Sequence, residues 1–310
     1  MIGKKLQTDR LEQLVARNAS LARFTAARLG GEADWLYHAR NGEEEMIAVV
    51  QEAWQRGWSV RVLGKGANVL IAPRGVRGLV VINENHSVRC TELHDDLAVI
   101  QVSSGVSLGS LARFAQRRGI AGLEWLATVP GTIGGAVVNN AGAHGGDISS
   151  SLTKAEILIK GQGRCNIPAH EMEYAYRNSR WKAAPEKDFL ILFAELTMPR
   201  GDPQQIEQRM QQLKTLRKQT QPAGASLGSI FKNPAGGHAG RIIEAAGLKG
   251  YRVGKVEVSH KHANFFINRG TEVSAADAAD YDELIQRVQS KVWERCGIQL
   301  QLEIEHIGEW

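Results

Sequence analysis

Cysteine is scarce in this chain of 310 residues. Cys90, Cys165 and Cys296 stand far apart, in odd number and without CxxC spacing, which excludes a disulfide framework and leaves reduced thiols. Long apolar runs are missing as well. The longest, Phe189 to Leu196, falls far short of the roughly 20 residues that cross a bilayer, and Met1 to Arg10 carries charges with no apolar segment behind them. The expectation is a cytoplasmic chain with neither a membrane helix nor a secretory signal. No sign of charge dominates, because 38 basic against 33 acidic residues leave +5 and the basic residues are scattered. Nucleic acid is therefore not an expected partner. The cluster Lys214, Arg217, Lys218 ends a predicted helix, where cations suit the macrodipole. HExxH is absent, and His260-Lys261-His262 has no third ligand near it, so no metal is expected.

Glycine is what the chain has in excess, 33 of 310 residues against a usual share of about 7%. The glycines gather in short segments between predictable elements. Helices are expected over 41–57, with Glu43 to Glu45 in the first turn, and over 107–119, capped by Ser107. Others open at Asp202-Pro203, cover 239–246, and run from a Ser274 cap to Cys296. Strands are expected at 59–63, 79–82, 97–103, 154–160, 189–198, 253–259, 264–268 and, closing the chain, 298–304. The order lacks strict βαβ regularity, so the fold class is α+β with mixed sheets.

The loop Gly64-Lys65-Gly66-Ala67-Asn68 lies between predicted strands and matches neither GxGxxG nor GxxxxGK[ST]. Its N–H groups suit a diphosphate, and its glycines equally suit a tight hairpin turn. A second passage is denser in glycine. Pro130-Gly131-Thr132-Ile133-Gly134-Gly135-Ala136 leads to Asn139-Asn140-Ala141-Gly142-Ala143-His144-Gly145-Gly146-Asp147. Ordering each glycine costs about 0.5–1 kcal/mol relative to alanine, so close main-chain approach to a large flat or charged ligand is expected there, with an irregular surface loop as the other reading. Tyr176-Arg177-Asn178-Ser179 and Gly228-Ser229-Ile230-Phe231-Lys232-Asn233-Pro234 mix aromatic and polar residues. An arginine followed by asparagine and serine suits a carboxylate or oxyanion, and a solvated loop is the other reading of each cluster. Glu303, in the closing predicted strand, faces either core or solvent.

Taken in order with Val69-Leu70, Ala239 to Tyr251, Val258 to Asn268 and Gly297 to Gly308, these segments resemble the UDP-N-acetylenolpyruvoylglucosamine reductases, the MurB family of flavoenzymes in bacterial peptidoglycan synthesis. The resemblance spans nearly the whole chain. It implies an FAD-binding fold of the vanillyl-alcohol-oxidase type in two lobes, 1–82 and 83–212, the first joined by the C-terminal strand at 298–310. A separate α/β substrate-binding domain would occupy 213–297. FAD would be held by Gly64, Lys65, Gly66, Ala67, Asn68, Val69 and Leu70, and by Pro130, Gly131, Thr132, Gly134, Gly135, Asn139, Gly142 and Ile148. Thr25, ahead of Arg28 and Gly30-Gly31, matches the family's N-terminal segment near the cofactor.

The implied reaction is the NADPH-driven reduction of UDP-N-acetylglucosamine enolpyruvate to UDP-N-acetylmuramate. NADPH would reduce FAD, hydride would pass from flavin N5 to the terminal vinyl carbon, and an enolate would develop beside the carboxylate. Arg177 and Glu303 would stabilise that charge, and Ser229 would protonate the carbon as general acid. Serine is a weak acid, so its position matters more than its pKa, and Glu303 has to present a proton to help an anion. Tyr176, Lys232, Asn233, Lys261 and Asn264 would meet the UDP-sugar. That small molecule is the expected partner of a monomer. Thr128-Val129 and Glu305-His306 depart from the family pattern, and the lack of a tyrosine-bearing insert points to its type II branch. The competing readings are an FAD-dependent sugar or hydroxy-acid oxidoreductase of the same fold and a UDP-sugar-binding protein without redox activity.

Overall fold

Local sequence accounts for the ends of the long helices. Asp202 Oδ1 accepts the N–H groups of Gln204 and Gln205 at 2.8 and 2.9 Å, opening the helix Pro203–Thr220 with proline where no donor is needed. Ser107 Oγ accepts from Ser110 N–H at 3.2 Å and opens Leu108–Arg117. In Glu43–Gln55 three first-turn glutamates offset the helix dipole, while Met46, Ile47, Val49, Val50 and Ala53 are buried. The computed structural model describes residues 8–93, 96–184, 186–272, 274–275 and 277–310. None of its helices is long and apolar enough to cross a membrane.

The chain forms two units. One holds Leu36–Gly64 and Gly78–Arg217 with the N-terminal stretch through Ala16; the other holds Arg17–Trp35, Lys65–Arg77 and Lys218–Trp310. In the first, an antiparallel sheet runs in the order Gly163–Pro168, Leu152–Ile159, Phe189–Pro199, Leu97–Ser103, Val88–Leu93. Ala155 pairs with Ala194 and Ala194 with Val102, a fully buried row that shares one core with Leu111, Ala115 and Leu213 of the helices. Val60–Leu63 pairs in parallel with the later part of Val76–Asn83, from Val60↔Leu79 to Leu63↔Ile82.

In the second unit Arg252–Val253, Val256–Val258 and Phe266–Asn268 form an antiparallel sheet. The helix Asp277–Cys296 shares its core through Tyr281, Leu284, Ile285, Val288 and Val292. Burial pushes the Tyr281 pKa up, and its hydroxyl donates to Phe266 O at 3.0 Å. Glu305–Ile307 pairs in parallel with Val69–Ile71, so the end of the chain lies beside the segment that follows the first glycine loop.

The α+β class with mixed sheets holds, and three local expectations do not. The closing strand begins at Glu305 rather than Ile298: Gln301 O takes Lys232 N–H, Glu303 N–H goes to Ile230 O, and Leu300 O takes the Gln289 amide. The second glycine passage contains a helix, Ile133–Asn139, whose buried Ile133, Ala136 and Val137 keep helical spacing among the glycines. The run read as a strand over 253–259 is a hairpin that turns at Gly254, where φ is +49°.

Candidate functional site

The two glycine passages meet in the first unit. A Cβ on Gly64 would fall 2.2 Å from Thr132 Oγ1. Beyond it, Leu108 N–H donates to Gly131 O at 3.2 Å, Ile133 N–H to Val106 O at 3.0 Å and Gly134 N–H to Ser104 O at 2.8 Å, which lays the second passage along 104–108. A Cβ on Gly134 would touch Ser104 Cβ at 3.0 Å, on Gly142 Asp147 Cβ at 2.8 Å, and on Gly146 the Trp125 ring at 2.4 Å. Internal packing thus requires glycine at Gly64, Gly134, Gly142 and Gly146 whether or not a ligand is bound. Gly135 is different. Its conformation is helical, it is exposed, and a Cβ there would meet nothing nearer than 3.9 Å. Alanine would favour the helix by about 1 kcal/mol, so the protein itself supplies no reason for glycine, and close approach by a bound group does. The open space at Gly135 therefore leaves room for close approach by a flat, phosphorylated cofactor. Among the other residues expected to hold one, Asn139 Nδ2 donates to Gly135 O at 2.9 Å, Pro130 is exposed, and Ile148 is a core side chain.

Arg177 lies in the same unit, in a tight turn. Ala175 and Asn178 exchange N–H···O bonds at 3.1 Å in both directions, so Tyr176 and Arg177 are the central residues. Arg177 has φ +55° at the position that turns reserve for glycine or asparagine. For a residue with a Cβ this costs about 1–2 kcal/mol. Three side chains hold the turn on the end of the helix Ile133–Asn139. Tyr174 Oη donates to Val137 O at 3.0 Å, the buried Ser179 Oγ donates to Val138 O at 2.6 Å, and Asn140 Nδ2 donates to Ala175 O at 3.1 Å. Two of the carbonyls that a helix C-terminus leaves open are thereby filled. Burial and then Asp147 push the Tyr174 pKa up, which keeps its hydroxyl a donor. The Arg177 guanidinium donates to Gly142 O at 2.6 Å and lies 5.2 Å from the ring of Tyr176, itself 53% exposed.

Sequence reasoning missed two residues near this hairpin. His144 occupies the two-residue turn between Gly142–Ala143 and Gly146–Asp147, and its pKa is lowered by burial first and then by Arg209 and Arg217. Arg217, read from the sequence as a helix-end cation, falls four residues after Leu213 on the buried stripe Ile206, Met210, Leu213, and burial lowers its pKa. The spacing 206-210-213-217 was the available signal.

The second unit holds Ser229 and Glu303. Lys65–Leu70 belongs to it too, so the division of the chain falls inside the first glycine loop. Gly66 has φ +53°, and a Cβ there would meet Phe24 O at 2.2 Å; Ala26 N–H donates to Gly66 O at 3.0 Å beside Thr25, whose Oγ1 accepts from Leu29 N–H at 3.0 Å. Leu70 is a core residue. Ser229, half-buried, bridges to Phe265. Glu303 N–H donates to Ile230 O at 2.8 Å, so Glu303 stands across from the residue next to Ser229. Asn68 brackets Glu303: its Nδ2 donates to Glu303 O at 3.3 Å and its main-chain O accepts Glu305 N–H at 2.9 Å.

The residues expected to meet substrate are placed unevenly. Lys232 is half-buried with its N–H on Gln301 O at 2.8 Å, and the exposed Asn233 caps a helix by accepting Ala239 N–H at 3.0 Å. Lys261 Nζ donates to Lys218 O. Asn264 is only 2% exposed, with its amide on the Phe231 main chain. The two histidines of His260-Lys261-His262 diverge, His260 toward Glu257 at 3.7 Å and His262 onto the Phe265 ring at 4.9 Å. Gly224-Ala225-Ser226-Leu227-Gly228 spells the pattern of a hydrolase nucleophile elbow, but no helix opens there before Ala239.

Residues 39–165 match the model of the FAD binding domain, and 219–307 match that of the UDP-N-acetylenolpyruvoylglucosamine reductase C-terminal domain. The UDP-N-acetylenolpyruvoylglucosamine reductase of Chloroflexus aurantiacus is 38% identical over 291 residues, 93% of this chain and 95% of the relative. That of Rubrobacter xylanophilus is 39% identical over 289 residues, 93% and 94% of the two chains. The crystal structure of UDP-N-acetylenolpyruvylglucosamine reductase from Thermus caldophilus is similar with a TM-score of 0.79 at 31% identity, covering 95% of this chain and 99% of that one.

Proposed function

The chain belongs to the UDP-N-acetylenolpyruvoylglucosamine reductase family, and on that premise we propose that it is the FAD-dependent, NADPH-driven enzyme that reduces UDP-N-acetylglucosamine enolpyruvate to UDP-N-acetylmuramate in peptidoglycan synthesis. When bound, FAD supplies the carriage of hydride from NADPH to the terminal vinyl carbon. Main-chain groups of 64–70 and of 131–135, with Asn139 and Gly142, would hold it, and the open approach at Gly135 supports this. Leu70 and Ile148 would act only as core behind the cradle.

Hydride addition leaves charge on the carbon next to the carboxylate, shared with it as an enolate. The Arg177 guanidinium offers charge-assisted donors to that charge. Glu303 is assigned to the same developing charge as a second stabilising group. The Ser229 hydroxyl gives its proton to the carbon, so one hydride and one proton add across the double bond. Tyr176, Lys232, Asn233 and Lys261 are assigned to the UDP-sugar. The same reading divides the chain into FAD lobes at 1–82, with 298–310, and 83–212, and a substrate domain at 213–297. It takes the protein as a cytoplasmic monomer.

The observation that supports the reading is the pairing of Ile230 with Glu303, by which Ser229, assigned as proton donor, and Glu303 lie on adjoining backbone beside Asn68 of the first glycine loop. The purified protein should show flavin absorbance that NADPH bleaches and the enolpyruvyl substrate restores. Ser229→Ala should leave bleaching nearly intact and slow restoration by about 10²–10⁴-fold. If both steps fell together, Ser229 would be structural; a colourless protein that takes up no FAD would remove the reading altogether.

A further inference from the structure

Ser229 sits in a stretch without regular secondary structure, yet the backbone beside it is fully engaged. On one side Glu303 and Gln301 bond Ile230 and Lys232. On the other side the partner is a side chain. Asn264 Oδ1 accepts Phe231 N–H at 2.9 Å, Asn264 Nδ2 donates to Phe231 O at 2.8 Å, and the main-chain O of Asn264 accepts Ile230 N–H at 2.9 Å. The amide thus extends to Phe231 the pairing that the main chain of 264–265 makes with 229–230, giving Phe231 both of its ladder bonds. Phe231 is fully buried, edge-on to Phe266 with ring centroids 6.0 Å apart, so it cannot turn to find other partners.

We infer that Asn264 is a positioning residue for the Ser229 hydroxyl and not a contact of the substrate, an assignment that rests on the function proposed above. Only asparagine meets the requirement. Aspartate has the acceptor but not the donor, and glutamine is one methylene too long for both bonds at once. Loss of either bond leaves a buried main-chain group of Phe231 unsatisfied and frees the segment two residues from Ser229. A displacement of about 1 Å in a proton donor is enough to slow its step by about 100-fold.

The test uses Asn264→Ala and Asn264→Asp in the FAD-loaded protein. Both should bleach with NADPH as the parent does and bind the enolpyruvyl substrate with unchanged Kd, while restoration of the flavin absorbance slows by about 100-fold. In Asn264→Asp the carboxylate faces Phe231 O, which raises its pKa, and its protonated form regains a donor. Restoration by that variant should therefore recover as the pH falls, and that by Asn264→Ala should not. Hydrogen exchange of the Phe231 amide, measured on the protein alone, should be at least about tenfold faster in Asn264→Ala. A raised Kd with unchanged restoration at saturation would make Asn264 a substrate contact and overturn the assignment. So would parallel loss of bleaching, restoration and melting temperature, or unchanged exchange at Phe231. If the parent failed to reduce the substrate while Phe231 exchange still rose in Asn264→Ala, the function would fall and the backbone clamp would stand.

Discussion

The turn that carries Arg177 and the extended segment that carries Ser229 fix their side chains by opposite means. Arg177 adopts a conformation that its own backbone disfavours, and the turn persists because Tyr174, Ser179 and Asn140 bond main-chain carbonyls around it. Ser229 has no positive φ, and the residues after it take ladder bonds from 264 on one side and 301–303 on the other. One arrangement aims a single guanidinium at a cost in stability. The other fixes the backbone next to Ser229 and at Glu303 by pairing, without a positive φ at either residue. Strain that the surrounding bonds must maintain is found where a side chain is needed in one direction, and among the described arginines Arg177 shares its positive φ only with Arg28, at +59°.

The comparison is broken most severely by removing the guanidinium. Arg177→Ala should slow restoration of the flavin absorbance by substrate by about 10²–10³-fold while NADPH still bleaches it. A defect confined to bleaching would take Arg177 away from the enolate. Ser179→Ala keeps the guanidinium and removes its support, leaving Val138 O and Lys182 N–H without the hydroxyl. Thermal unfolding should report a loss of about 1–2 kcal/mol, with a smaller kinetic defect than Arg177→Ala. An unchanged melting temperature would mean that the turn is not held through Ser179.

Much of this was legible from the residues, and the exceptions share a cause. Caps such as Ser107 and Asp202 act within a few residues of the helix they open, so they mark it in the sequence itself. The closing strand was misplaced because alternation over 298–304 reports burial, whereas pairing there is decided by Ile230 and Lys232, some 70 residues away. At Gly64 and Gly134 the folded chain adds a second demand for glycine that the sequence does not show, because Thr132 and Ser104 press against them. Asn264 looked like a polar contact for substrate for the same reason: its partner Phe231 is 33 residues distant, and only folding shows that both ends of the amide are taken.

A finer comparison isolates the strain. Arg177→Gly and Arg177→Ala both lack the guanidinium, but only glycine accepts φ +55° without a Cβ penalty. Arg177→Gly should be the more stable of the two by about 1 kcal/mol, roughly 2–4 °C in melting temperature. At Ser229, where φ is ordinary, the order should reverse, with glycine below alanine by about 0.5–1 kcal/mol. Equal melting of the two Arg177 variants would show that the turn carries no strain.

The smallest effect lies in pH, at the hairpin beside Arg177. Burial first, then Arg209 and Arg217, hold the His144 imidazole below the ordinary histidine value of 6.5. The folded chain therefore binds this proton more weakly than the unfolded chain does. As the pH falls through 6.5 the unfolded state protonates first, so stability drops, and the loss is complete once the pH passes the folded pKa; above 6.5 His144 contributes no pH dependence. Arg217→Gln removes one of the two cations and should raise the His144 pKa, followed through its ring protons by NMR, and flatten the acid slope of stability. Because burial ranks ahead of both arginines, recovery toward 6.5 should be partial. An unmoved titration would assign the whole depression to burial and Arg209, and would detach Arg217 from the hairpin that accepts the Arg177 guanidinium.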